Sequence, residues 1–105
     1  FIFFDVQSSM TATKKNVKST HSINGHLLVI DDDTLFCDAV SSAGIGESFT
    51  VHTANTASAG LDLCKQHRMD VVLLDQQLPD KNGSDICPDI LSKNDRTKII
   101  LATAY

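Results

Sequence analysis

Short apolar runs alternate with amphipathic stretches from residue 26 onward. Three of the runs, at residues 27–30, 71–74 and 98–102, are mainly aliphatic, and each is followed directly by a polar side chain. Runs of this length and composition are typical of strands that are buried on both faces of a sheet. A further strand is predicted at residues 49–53, where β-branched residues alternate with other side chains.

Segments with helical spacing of their apolar residues separate these strands. Helices are predicted at residues 34–42 and 84–92, and a third is predicted to follow Thr56, which has the character of an N-cap. Pro88 lies inside the last helix and predicts a short or kinked first turn. The resulting order β-α-β-α-β-α-β predicts an α/β fold, with a parallel sheet, helices on both faces and right-handed crossovers.

The first 25 residues lack this pattern. Phe1–Phe4 is apolar, but residues 7–24 are rich in Ser, Thr, Lys and Asn without a sustained period. We therefore predict a disordered tail at residues 1–25 and one folded domain at residues 26–105. A chain of 105 residues is long enough for one such domain and too short for two.

Composition and charge exclude several classes of function. Thirteen acidic residues against nine basic ones give a net charge of −4, which disfavours direct contact with nucleic acid or with an anionic membrane. Cys37, Cys64 and Cys87 are odd in number and form no C-x-x-C pair, so we expect a reducing, cytoplasmic location. The histidines show no metal-ligand spacing and are predicted to be surface or tail residues, namely His21, His26, His52 and His67.

Polar side chains that can carry chemistry follow three of the predicted strands. Asp31, Asp32 and Asp33 follow the first strand, Asp75 follows the third, and Thr103 follows the last. The carboxyl ends of parallel strands meet at one edge of the sheet, where open α/β folds bind their ligands. Converging carboxylates repel one another, and Mg²⁺ or Ca²⁺ with oxygen ligands would relieve that repulsion. A carboxylate beside such a cation can attack a phosphoryl group, whose oxygens the cation and a hydroxyl neutralise. Any one of these residues alone is more often a turn or cap residue, and Asp33 is the clearest candidate for a cap.

The three strand ends together resemble the receiver domain of two-component response regulators. The resemblance rests on three motifs, which are L-L-V-I-D-D-D from residue 27, V-V-L-L-D followed by L-P-D-K-N-G up to residue 83, and I-I-L-A-T-A from residue 99. It covers residues 26–105. It implies a doubly wound, flavodoxin-like (CheY-like) sheet with the strand order 2-1-3-4-5.

The resemblance also implies a role for individual residues. Asp75 would be the phosphoacceptor that takes a phosphoryl group from a histidine kinase or a phosphotransfer protein. Asp31, Asp32 and Asp75, together with the backbone carbonyl of Gln77, would hold Mg²⁺. Thr103 would be the switch hydroxyl, and three residues would shape the neighbouring loops: Pro79, Gly83 and Ala104. The domain would be a signalling domain rather than an enzyme, with a transcriptional output outside this chain.

Receiver domains continue beyond the last motif of this chain. The family has a further helix, a strand bearing a Lys and a last helix after the Thr-Ala pair, so the chain resembles a partial receiver. The outer edge of the strand at residues 98–102 would then be unpaired, which favours a homodimer through that edge. The apolar segment Phe1–Phe4 is a second candidate to cover it.

Two other interpretations fit part of the pattern. A non-phosphorylated interaction module that keeps the receiver scaffold would explain the fold without the chemistry. A haloacid-dehalogenase-type phosphohydrolase begins with Asp-x-Asp, which Asp31 and Asp33 match. That family, however, has Thr or Val where Leu35 stands, and it gives no role to the loop after Asp75.

Overall fold

The computed structural model describes residues 2–5, 25–43 and 48–103. Within these ranges the elements are β1 (Ile2–Asp5), β2 (Gly25–Ile30), α1 (Thr34–Ser42), β3 (Phe49–Ala54), α2 (Ala57–Gln66), β4 (Val71–Asp75), α3 (Gly83–Lys93) and β5 (Lys98–Thr103). The strands form one sheet in the order β1-β5-β4-β2-β3. Strands β2 to β5 are mutually parallel, which confirms the predicted α/β architecture from residue 26 onward.

Burial on both faces of the sheet explains the continuous apolar runs. In β2, Leu28 and Ile30 pack with the core that α2 and α3 cover, whereas Leu27 and Val29 pack with α1 on the opposite face. All four side chains are nearly inaccessible to solvent. Successive residues of a strand point to opposite faces of the sheet. Because helices cover both faces, neither set of side chains in a central strand reaches solvent, and its sequence is continuously apolar.

The outer edge of β5 is paired within the chain. Strand β1 lies antiparallel to it, with Ile2 opposite Thr103 and Asp5 opposite Ile100. Four residues of the segment predicted to be a disordered tail therefore form a strand. The prediction of an unpaired outer edge on β5, on which the proposed homodimer rested, is wrong for the residues of β5 that pair with β1. The physical reason is that an unpaired edge offers backbone donors and acceptors to any extended segment of the same chain. The rest of the predicted tail, residues 6–24, lies outside the described residues.

The helices begin largely where the sequence predicts. Thr56 is the N-cap of α2, and its side chain accepts a hydrogen bond from the backbone N–H of Ala59 at 3.1 Å. Helix α3 continues for 11 residues through Pro88, so the expected shortening at this proline is not observed. No helix in the described ranges combines the length and the apolar character that crossing a membrane requires.

Candidate functional site

Three aspartates from two neighbouring strands meet at the carboxyl edge of the sheet. Strands β2 and β4 are adjacent, with Ile30 opposite Leu74, so the residues that follow each strand come together. One carboxylate oxygen from each of Asp31, Asp32 and Asp75 lies within 4.8 Å of the others. The side chain of Asp31 is buried, that of Asp75 is half-buried and that of Asp32 is exposed. The predicted convergence of carboxylates is present, and it opens to solvent on the side of Asp32.

Hydrogen bonds fix Asp31 in the position nearest the core. Its backbone N–H donates to the carbonyl of Ala54 at 2.9 Å, and its own carbonyl accepts from the side-chain amide of Asn55 at 2.9 Å. Its carboxylate accepts from the backbone N–H of Asp33 at 2.9 Å. No role was predicted for Asn55. It directly follows β3 and lies two residues beyond the end of the strand predicted at residues 49–53, a position like those of Asp31 and Asp75 at the ends of their strands.

Burial raises the pKa of Asp31 to about 6, and the nearby carboxylates of Asp75 and Asp32 act in the same direction. The hydrogen bond from the Asp33 N–H opposes this rise in the pKa. A carboxyl whose pKa is raised is one whose ionised form is disfavoured in the folded chain. The cluster of aspartates is therefore electrostatically unfavourable by itself, and a bound cation would stabilise it.

The raised pKa of Asp31 makes folding stability in metal-free buffer depend on pH. The folded chain holds this proton up to about pH 6, whereas the unfolded chain releases it near the ordinary value of 3.8. The contribution of Asp31 to stability therefore falls as the pH rises from about 4 to about 6, and the penalty is fully present at pH 7. We expect Asp31→Asn to raise the thermal midpoint by several degrees at pH 7 in the presence of a chelator. The midpoints of the two proteins should converge at pH 4, and a variant that is less stable than the parent at pH 7 would contradict the prediction.

Asp33 serves a different purpose from its two neighbours. Its carboxylate accepts hydrogen bonds from the backbone N–H groups of Leu35 at 3.0 Å and Phe36 at 3.1 Å. It is the N-cap of α1, as its position in the sequence predicted. The structure thus separates the three consecutive aspartates into two that face the site and one that starts a helix.

The loop after Asp75 is hydrogen-bonded to β5 and to the start of α3. The N–H of Gln76 donates to the carbonyl of Ala102 on β5 at 2.9 Å, and the carbonyl of Gln76 accepts from the N–H of Gly83 at 2.7 Å. The backbone N–H of Gln77 donates to the carboxylate of Asp75 at 3.3 Å, and Gln77 forms an isolated antiparallel bridge with Asn82. Pro79 is exposed in this loop, and the hydrogen bond from Gln77 holds that residue beside Asp75.

Asp80 ties the same loop to α2. Its two carboxylate oxygens accept from the backbone N–H groups of Ala57 at 2.8 Å and Ser58 at 3.0 Å, and these two hydrogen bonds lower the pKa of Asp80. No role was predicted for Asp80. The first backbone N–H groups of a helix need hydrogen-bond acceptors from outside the helix, and an aspartate in a neighbouring loop can supply them.

Thr103 ends β5 beside the site. The residue before it, Ala102, is paired with Asp75 in the sheet register. The hydroxyl oxygen of Thr103 is buried and has no hydrogen-bond partner among the described residues. A buried hydroxyl without a partner is unfavourable, so a ligand that supplies an acceptor would stabilise this position. The predicted small neighbour, Ala104, lies outside the described residues.

Known proteins with the same features are response regulators. A family model described as the response regulator receiver domain matches residues 27–105. The probable transcriptional regulatory protein TcrX of Mycobacterium tuberculosis is 35% identical over 78 residues, which cover 74% of this chain and 33% of TcrX. The cell cycle response regulator CtrA of Brucella ovis is 31% identical over 75 residues, which cover 71% of this chain and 32% of CtrA. The chain thus spans about a third of the length of these relatives.

Solved structures agree on the fold. A CheY-like receiver domain protein from Methanospirillum hungatei superposes with a TM-score of 0.72 at 28% identity, over 80% of this chain and 66% of that one. The BeF3-activated receiver domain of DrrB superposes with a TM-score of 0.68 at 30% identity, over 79% of this chain and 68% of that one. The sheet is therefore doubly wound and flavodoxin-like, and the match over residues 27–105 establishes that the chain belongs to the family of response regulator receiver domains.

Proposed function

We propose that Asp75 is the phosphoacceptor of this receiver, and that Mg²⁺ held by the aspartate cluster assists the transfer. The donor would be a sensor histidine kinase or a phosphotransfer protein. The observation that carries the proposal is the convergence of Asp31, Asp32 and Asp75 at two adjacent strand ends. Thr103, whose buried hydroxyl has no hydrogen-bond partner among the described residues, directly follows the residue that pairs with Asp75. A phosphoryl group on Asp75 would bring oxygens to the side of the sheet where that hydroxyl lies.

The donor set fits a hard divalent cation. All three side chains offer carboxylate oxygens, which Mg²⁺ and Ca²⁺ prefer over softer ions. Burial and, to a smaller extent, the carboxylates of Asp75 and Asp32 raise the pKa of Asp31, so a cation bound beside it would stabilise its ionised form. Asp31, Asp32, Asp75 and the carbonyl of Gln77 would hold the ion, which when bound supplies positive charge to the phosphoryl oxygens.

Asp75 is a better nucleophile than the other carboxylates of the site. The carboxylate of Asp31 is buried and accepts a 2.9 Å hydrogen bond from the N–H of Asp33, so it is less accessible to a phosphodonor. Both oxygens of Asp80 bind the start of α2. Asp75 lies at the end of β4, between β2 and β5, and its Oδ1 accepts one longer hydrogen bond of 3.3 Å. A carboxylate in that position can meet the phosphoryl group on one side while Thr103 on β5 donates to its oxygens from the other.

Titration with Mg²⁺ tests the metal part of the proposal. We expect the backbone amide shifts of Asp31, Asp32 and Asp75 to change with a midpoint in the millimolar range, because exposed oxygen sites bind divalent cations weakly. Asp32→Asn should weaken this binding, whereas Asp38→Asn, which removes an exposed charge from α1, should leave it unchanged. Constant shifts at the three aspartates up to about 20 mM Mg²⁺ would remove the metal from the proposal.

Loading with a small phosphodonor tests the transfer itself. In the presence of Mg²⁺ the protein should gain one phosphoryl group in a bond that hydroxylamine cleaves, as expected for an acyl phosphate. Folded protein that binds Mg²⁺ but never gains the label would support the alternative of a non-phosphorylated interaction module.

The response would act on parts of the protein outside this chain. TcrX, of which the matched region covers 33%, is described as a probable transcriptional regulatory protein, and a transcriptional output is the proposal that this relationship supports. The buried, unoxidised thiols of Cys37, Cys64 and Cys87 are in keeping with the proposed cytoplasmic location. A homodimer remains a proposal for the activated state. Its surface would not be the edge of β5 that β1 covers.

A further inference from the structure

Three histidines that are distant in the sequence come together at the amino edge of the sheet. His26 lies on β2, His52 lies on β3 and His67 is the C-cap of α2. One ring nitrogen from each lies within 4.8 Å of the others. The centroid of the His52 ring is 5.2 Å from that of His26 and 4.5 Å from that of His67. The prediction of surface residues is confirmed for His67, which is exposed, whereas His26 and His52 are half-buried.

Topology explains why spacing in the sequence did not reveal the cluster. In the parallel register, Thr50 is opposite His26, so His52 is its diagonal neighbour on the same face of the sheet. Helix α2 crosses that face in the opposite direction and ends at His67, beside the start of the strands. The carboxylate of Asp70 accepts a hydrogen bond from the backbone N–H of His26 at 2.7 Å, which fixes the start of β2.

The geometry fits a cation with nitrogen ligands. Nδ1 of His26 and Nε2 of His52 are 2.9 Å apart, so they share a proton as a hydrogen bond in the absence of a metal. The ligand nitrogens of a tetrahedral zinc site are about 3.3 Å apart, given a Zn–N distance of about 2.0 Å. Small movements of the rings would therefore exchange the shared proton for a metal ion. Imidazole nitrogens favour Zn²⁺, Co²⁺, Ni²⁺ and Cu²⁺ over Mg²⁺.

We propose that His26, His52 and His67 form a second metal site, which binds a transition-metal cation of the Zn²⁺ class through one nitrogen from each ring. His52 and His26 are half-buried and His67 is exposed, so the site is anchored in the sheet and open on the side of the helix end. Burial, followed by the proximity of the other two rings, lowers the pKa of His52, which is in keeping with a neutral, ligating imidazole.

This site is independent of the aspartate cluster. His26 precedes Asp31 by five residues along the same strand, which corresponds to about 16 Å at the usual rise per residue. The two sites therefore lie at opposite edges of the sheet and differ in ligand type. A metal bound by the histidines would link the edge strand β3 and the end of α2 to the central strand β2, and it would stabilise the folded chain by mass action.

Cobalt is the probe that distinguishes the two sites. Co²⁺ is added to the protein in the presence of excess Mg²⁺ and a phosphine reductant. We expect the visible absorption bands of tetrahedral coordination, which should saturate at one Co²⁺ per chain. Zn²⁺ should displace Co²⁺ and abolish these bands. Zn²⁺ should also shift the ring resonances of His26, His52 and His67, but not those of His21, and raise the thermal midpoint.

Substitution of the exposed ligand provides the decisive variant. His67→Ala should weaken Co²⁺ binding by at least about tenfold. Even the loss of a residue that only orients a metal ligand lowers the metal affinity by about that factor. Because His67 is exposed, the metal-free stability of this variant should match that of the parent. His52→Asn should also lose the site, and the matched control His21→Ala should retain it, as should Asp32→Asn.

Three results would overturn the proposal. One is the absence of tetrahedral bands in folded protein with millimolar Co²⁺. Another is binding that survives both His67→Ala and His52→Asn. The third is a thiolate-to-cobalt charge-transfer band, which would show that a cysteine rather than the histidine cluster supplies the ligands.

Discussion

Asp75→Asn is expected to abolish acyl-phosphate formation while leaving the protein folded. An amide nitrogen or oxygen at this position cannot attack a phosphoryl group to give the labile mixed anhydride, so the loss should be complete within detection. The substitution preserves shape, and the hydrogen bond that Asp75 accepts from the N–H of Gln77 can be retained by the amide oxygen. Phosphoryl incorporation from a small phosphodonor, measured by intact mass with and without hydroxylamine, is the readout.

The matched control is another aspartate from the same region. Asp85 lies in the first turn of α3 and is exposed, and Asp85→Asn removes the same charge without touching the aspartate cluster. It should load as the parent does. Label that persists in Asp75→Asn would show that another carboxylate is the acceptor, and peptide mapping would then identify it.

The other two aspartates of the cluster are not expected to substitute for Asp75. Asp31 is buried, and its carboxylate already accepts a hydrogen bond from the N–H of Asp33, so an incoming phosphoryl group has little access to it. Asp32 is exposed and follows β2, which β4 separates from β5, so it does not adjoin the strand that carries the hydroxyl of Thr103. The three identical side chains lie in different environments, and the different roles proposed for them rest on those environments rather than on residue type.

The fold was predictable because local pattern and tertiary structure agree over most of the domain. The run at residues 27–30 is buried on both faces, so its composition alone indicated a central strand. Asp33 could be identified as a cap because an N-cap depends only on the next two or three residues. In both cases the deciding interactions lie close in the sequence or require only burial.

The features that the sequence did not reveal depend on pairs of distant residues. Strand β1 forms by pairing with the edge of β5, and an isolated segment of four residues has no stable structure by which its sequence could be recognised. The contact between Asp80 and the start of α2 joins residues 23 apart. The histidine cluster depends on the register between β2 and β3 and on where α2 ends. None of these has a signature within a single window of the sequence.

Gly83→Ala is expected to disrupt the fold at the site more than any other small substitution. A Cβ atom at residue 83 would lie 2.3 Å from the carbonyl oxygen of Asp75 and 3.1 Å from Cγ of Leu74. The carbonyl belongs to the backbone of a central strand and cannot rotate away. The N–H of Gly83 also donates to the carbonyl of Gln76 at 2.7 Å, which holds the start of α3 against β4. The added methyl group must therefore separate α3 from the strand or break this hydrogen bond.

We expect the free energy of unfolding of Gly83→Ala to fall by about 3 kcal/mol, which is the upper end of the cost of overpacking. Alanine favours a helix over glycine by up to about 1 kcal/mol, so a net loss of this size would have to come from the steric conflict.

Gly25→Ala is the matched control. Its Cβ would approach only side-chain atoms, namely Oδ2 of Asp70 at 2.9 Å and the ring of Phe49 at 3.0 Å. We expect a smaller loss there, because the conflict displaces side chains and at most the hydrogen bond between Asp70 and the N–H of His26. Urea unfolding of both variants is the measurement. Equal midpoints for Gly83→Ala and the parent would show that α3 does not start against the carbonyl of Asp75. A large loss that is accompanied by weaker Mg²⁺ binding would show that the same close contact also positions Asp75.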